Sequence, residues 1–144
     1  MQTARDNYLT TEVMTATPQK LQLMLIEGAL RFGQQAQQMW NAGRDQEAGE
    51  SILRCQQIVS QLLGGLNPEQ QPDLVRKVAG LYLFVFRALV TAHLNRDSQS
   101  LADALAVLVV EQETWRQVCA KLGSAKPADA RADAHPGERY SFEA

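Results

Sequence analysis

The sequence predicts an all-α protein: an antiparallel four-helix bundle with a leader before it and a disordered tail after it. Three observations carry this. Four long stretches place apolar residues at helical spacing, no stretch alternates with period two, and the connections between the four are short. A chain of 144 residues is one domain by size and is long enough to bury a core. Residues 1–16 read as leader, 17–122 as bundle and 123–144 as tail.

The first helix opens at Thr17, a good N-cap, with Pro18 suited to the first helical position. Leu21, Met24, Leu25, Gly28, Phe32, Ala36 and Met39 then form a stripe, which Leu23, Ile26 and Leu30 widen. The helix is expected to reach about Asn41 and to stop before Asp45. The second runs from about Asp45 to Leu63, with Ala48, Ile52, Cys55, Val59 and Leu62 as its stripe and Gly64 and Gly65 as its stop. The third begins near Pro72 or Asp73 and ends near Asn95, with Leu81, Val85 and Leu89 on one face. The fourth starts at Ser98, read as its N-cap, and runs to about Leu122 through Leu101, Leu105, Leu108, Val109, Trp115 and Val118. After Gly123 come alanine, proline and alternating charges with no apolar period, so a disordered tail is expected.

Composition narrows the function classes. With 14 basic and 16 acidic residues the net charge is −2, which supplies no electrostatic footprint for nucleic acid or an anionic membrane. Met1 to Thr11 contains no apolar run of signal-peptide type. The most apolar window, Val78 to Leu94, is broken by Arg87, Thr91 and His93 and is too short and polar to span a bilayer. Cys55 and Cys119 lie far apart in helical patterns and read as reduced core thiols. A di-metal bundle needs a Glu-x-x-His pair, and His93 and His135 are preceded at that spacing by Val90 and Ala132. Glu111 and Glu113 are two apart and do not share a helix face. No phosphate loop, Cys-x-x-Cys or nucleophile elbow is present, so neither an enzyme nor a cofactor is expected.

The informative feature is an apolar surplus. The third helix reads VAGLYLFVFRALVTAHL, with Tyr82, Phe84 and Phe86 off the Leu81–Val85–Leu89 face. A helix apolar nearly all round is either buried nearly all round or lines a groove for another apolar segment. The leader adds a second puzzle. Tyr8 stands in a polar, β-branched stretch just ahead of the first helix, and an exposed tyrosine there gains nothing from being ordered.

The order of motifs resembles the FliS family of flagellar secretion chaperones. Tyr8, Val13 five residues on, then Thr-Ala-Thr-Pro ending at Pro18 and LQLMLIEGAL from Leu21 follow that family's opening pattern. ILRCQQIVSQLLGGLN resembles its second helix, LYLFVFRALVTAHLNRD its third and QETW, ending at Trp115, its fourth. The likeness covers roughly Tyr8 to Leu122. Two departures stand out: Ile26-Glu27 where the family has Tyr-Asp, and Leu83-Phe84 after Tyr82 where it has Tyr-Asp-Tyr. Both drop polar contacts and keep apolar bulk.

The resemblance implies a cytoplasmic export chaperone whose client is the C-terminal segment of flagellin, held back from polymerising before type III secretion. It implies no cofactor, no metal, no nucleic acid and no membrane insertion. The partner-binding residues it suggests are Tyr8 and Val13 of the leader, Leu21, Met24 and Leu25 of the first helix, and Tyr82, Val85 and Phe86 of the third. Flagellar export or regulatory proteins are the next partners to consider, and an adaptor for another amphipathic segment, such as a flagellar regulator, is the alternative function. The leader would then be a cap over part of the client site, either movable or permanently docked.

Overall fold

The structure, a computed structural model, describes residues 16–69 and 71–123. They form four helices: α1 (Pro18–Asn41), α2 (Asp45–Gly64), α3 (Pro72–Asn95) and α4 (Ser98–Gly123). Short connections make chain neighbours antiparallel, and the packing contacts run α1–α2, α2–α3, α3–α4 and α4–α1. The result is a four-sided bundle, so no helix is central and each keeps an outer face. Tyr8, Val13, the leader before Ala16 and the tail after Gly123 lie outside the described residues.

Helix ends follow local chemistry. Thr17 Oγ1 accepts from the Lys20 N–H at 3.1 Å, and Pro18 occupies the first helical position. At α4 the cap is Asp97, one residue before the expected Ser98. The Asp97 carboxylate accepts from the N–H groups of Gln99 at 3.0 Å and Ser100 at 3.3 Å and from Ser100 Oγ at 2.8 Å. These bonds hold its carboxyl below the usual carboxylate range. A carboxylate adds charge to the interaction with the helix N-terminus, an advantage that a serine hydroxyl lacks.

The α2 stripe is buried as a unit: Ala48, Ile52, Cys55, Val59 and Leu62. On α1 the register differs from the expected stripe. Leu23, Ile26, Ala29, Leu30, Ala36 and Trp40 form its core face, while Leu21, Met24, Leu25, Phe32 and Met39 are only half-buried. The cause is close approach to α4. A Cβ added at Gly33 would stand 2.3 Å from Leu105 Cδ2, so this small-residue face lets the helices meet and turns the neighbouring row outward. On α3, Val85 and Leu89 are fully buried, but the third expected member, Leu81, is 43% exposed, and Tyr82 takes the inward place. On α4, Leu101, Leu105, Leu108 and Trp115 are buried, whereas Val109 and Leu122 are exposed.

One polar cluster crosses this apolar core. Gln22 Nε2 donates to the fully buried Tyr82 Oη at 2.8 Å. The Tyr82 hydroxyl donates to the buried Glu111 carboxylate and accepts from Trp115. The cluster joins α1, α3 and α4, and its members satisfy one another in a place where an unpaired polar group would cost about 1–3 kcal/mol. Burial, followed by the Glu111 charge, raises the Tyr82 phenol far above its ordinary value. Burial also raises the Glu111 carboxyl above the usual range, partly offset by the bond from Tyr82.

Two predictions arise here. Trp115→Ala should cost about 3–5 kcal/mol as a large-to-small core change, and denaturant unfolding measures it. A variant with wild-type stability would contradict the burial of this indole. Glu111→Gln keeps an acceptor for Tyr82 and removes the charge. Because the folded pKa of Glu111 is raised, its contribution favours folding below the ordinary carboxylate pKa and is lost as pH rises through the raised value. Glu111→Gln should therefore raise the melting temperature at neutral pH, with an advantage that shrinks on acidification. An advantage that grows on acidification would reverse the assignment.

The bundle end remote from Thr17 is closed differently. Arg96, in the left-handed region at φ 48°, pairs with Asp45 through 2.9 and 3.1 Å bonds and lies 5.4 Å from the centre of the Trp40 ring. The half-buried His93 packs on Gly49, where an added Cβ would stand 3.1 Å from the imidazole ring. Cys55 is a buried free thiol that burial pushes up to about 12, so it stays protonated and unreactive; Cys119 is free and half-buried.

Candidate partner-binding surface

The α3 surplus does not end up inside. Tyr82 and Val85 point into the core and Phe86 packs half-buried against it, leaving Leu81, Leu83 and Phe84 exposed at 43%, 41% and 48%. The reason is geometric. A helix in a four-sided bundle buries one face, and α3 is apolar at every position from Leu81 to Phe86. Leu74, 47% exposed and one heptad before Leu81, shares the side of α3 that Leu81 occupies, while Leu83 lies on the far side of Phe84.

Leu83 and Phe84 adjoin α4. Gly80, Leu83, Phe84 and Ala88 of α3, with Ser100 and Asp103 of α4, line an open hollow of about 420 Å³. Gly80 and Ala88 stand one turn to either side of Phe84, so no large side chain fills the space beside that ring. On α4, Val107 and the 64% exposed Val110 follow Asp103 at helical spacing. Arg87 lies in the same hollow, is exposed, and has no ion pair among the described residues. Asp103 opposite accepts from Gln99 Nε2 at 2.8 Å. The hollow thus sets Leu83, Phe84 and Ala88 beside Arg87, Thr91, Ser100 and Asp103, an apolar floor with polar edges suited to an amphipathic segment.

Of the partner-binding residues expected from the sequence, Tyr8 and Val13 lie outside the described residues and the others differ in burial. Tyr82 and Val85 are fully buried and hold the outward Leu81, Leu83 and Phe84 in place. Phe86 is half-buried. Leu21, Met24 and Leu25 are half-buried in the first two turns of α1. The exposed Leu83 and Phe84 were absent from the expected set, although Arg87 and Thr91 signalled them. Those polar residues mark the solvent side of α3, and positions 83, 84 and 80 precede Arg87 at the spacings that share its face.

Among the described residues no group of histidine, cysteine and acidic side chains could hold a metal ion, and no helix is long and apolar enough to cross a membrane. Fold and surface together define a small all-α bundle with a bare apolar face. The comparisons with known proteins are specific about which bundle. The family model described as flagellar protein FliS matches residues 1–122, and the chain belongs to that family. The flagellar secretion chaperone FliS of Bacillus subtilis is 29% identical over 110 residues, covering 76% of this chain and 81% of that protein. The chaperone of the same name from Salmonella typhimurium is 28% identical over 110 residues, covering 76% of this chain and 82% of its own. That of Vibrio cholerae is 24% identical over 108 residues, covering 75% and 79%. The family is thus one of chaperones of flagellar secretion.

Proposed function

We propose that this chain is a cytoplasmic export chaperone that binds the C-terminal segment of flagellin and prevents its polymerisation before secretion. The observation that carries the reading is the α3–α4 hollow, where the exposed Leu83 and Phe84 stand with Gly80 and Ala88. Such a hollow takes the apolar face of an amphipathic helix, and a secretion chaperone needs a reversible site of that kind. Tyr8 and Val13 of the leader, with Leu21, Met24 and Leu25 of α1, are further client contacts in this reading. Tyr82, Val85 and Phe86 act on the client through the residues they position.

The work is binding and competition, so no nucleotide or metal enters it. Ordering a client segment costs free energy and requires a large buried area. Titration should therefore give a strongly negative heat-capacity change and a gain of client helicity. Co-purification with flagellin tests the reading: full-length flagellin should be retained and flagellin lacking its C-terminal segment should not. Equal retention of both would move the site of recognition elsewhere on the client.

A further inference from the structure

We propose that the chain carries its own competitor for the α3–α4 hollow: residues 138–143, Glu-Arg-Tyr-Ser-Phe-Glu, dock there when no client is bound. The proposal rests on the reading of that hollow as the client site. Residues 124–144 hold only two aromatic side chains, Tyr140 and Phe142, and these stand together in a stretch otherwise rich in alanine, proline and charge. In an extended segment residues two apart project to the same side. Both rings therefore enter an apolar groove together, while Ser141 faces water.

The flanking charges match the edges of the hollow. Arg87, unpaired among the described residues, faces a segment bracketed by Glu138 and Glu143, and Asp103 faces Arg139. The reach is sufficient. Asp103 lies about 30 Å back along α4 from Gly123, at 1.5 Å per residue. The chain from Ser124 to Tyr140 spans up to about 55 Å when extended and about 20–25 Å as a flexible coil. The segment is thus present at the hollow at an effective concentration of about 1 mM. An intrinsic dissociation constant of roughly 0.1–0.3 mM, weak for a separate peptide, then keeps the hollow mostly occupied. Client affinity would be lowered about four- to tenfold by that occupancy. A client that makes contacts beyond the hollow still displaces the segment.

The test compares the full chain with Tyr140→Ser/Phe142→Ser in the same full chain. Apart from the substituted segment itself, backbone amide NMR should show differences confined to residues 80–91 of α3 and 100–110 of α4, unchanged on tenfold dilution. A synthetic peptide of residues 136–144 added to the double variant should restore the full-chain positions. The double variant should bind the flagellin C-terminal segment about four- to tenfold more tightly. No difference within the four helices, or differences centred on α1 and α2, would overturn the proposal. Concentration-dependent differences would overturn it in favour of the tail of a second copy, and the same pattern of differences from Tyr8→Ser alone would overturn it in favour of the leader. If the spectra behave as expected but the flagellin segment binds neither protein, the self-docking stands and the client reading fails.

Discussion

Replacing Val85 by aspartate should unfold the bundle at neutral pH. Val85 is fully buried beside Leu89 and Ala92 on the inner face of α3. It belongs to the buried hydrophobic core, so the carboxylate is either buried unpaired or must take up a proton against its ordinary pKa. Either way the penalty is several kcal/mol. That is a large share of the roughly 5–15 kcal/mol that holds a domain of this size together. Circular dichroism during heating is the measurement: the variant should lose most of its helicity or its cooperative melt. A cooperative transition within a few degrees of wild type would mean that position 85 reaches solvent.

One residue away the same substitution should do the opposite. Phe84 is 48% exposed, so Phe84→Asp exchanges a surface ring for a surface charge and should leave the melt nearly intact. Its effect belongs to binding. A central aromatic in an apolar contact is worth 2 kcal/mol or more by truncation, about a 30-fold loss of affinity, and the added carboxylate desolvates poorly against an apolar client. Flagellin binding should therefore weaken by about 30-fold or more in a folded protein. The contrast between positions 84 and 85 separates face from core without any change in the type of residue introduced. A folded Phe84→Asp that binds flagellin as wild type does would remove this face from the client site.

How much was legible in the sequence depended on whether a helix had one apolar face or several. The core of α2 could be read directly, because Ala48, Ile52, Cys55, Val59 and Leu62 recur at helical spacing among polar residues such as Gln46, Glu50, Arg54 and Gln57. In α1 two adjacent apolar rows compete, and periodicity cannot rank them. The ranking comes from the close contact of Gly33 with Leu105, residues far apart in the chain. In α3 the surplus itself was plain, but its direction was not. Tyr82 turns inward because Gln22, Glu111 and Trp115 satisfy its hydroxyl, and those partners come from two other helices. Once Tyr82 faces the core, helical geometry puts Leu83 and Phe84 outside. Local chemistry was more readable than packing: Thr17 and Pro18 mark the start of α1, while at α4 the stronger acceptor Asp97 displaces Ser98 as cap by one position.

The claim that the α3–α4 face receives the flagellin C-terminal segment is tested most directly by site-specific photocrosslinking. A photoreactive phenylalanine analogue at position 84 is compared with the same analogue at position 53, an exposed leucine on α2. With full-length flagellin, position 84 should yield a covalent adduct whose client peptide maps to the C-terminal segment, and position 53 should yield little. Adducts at position 53 but not 84, or adducts at 84 that map elsewhere on flagellin, would contradict the account.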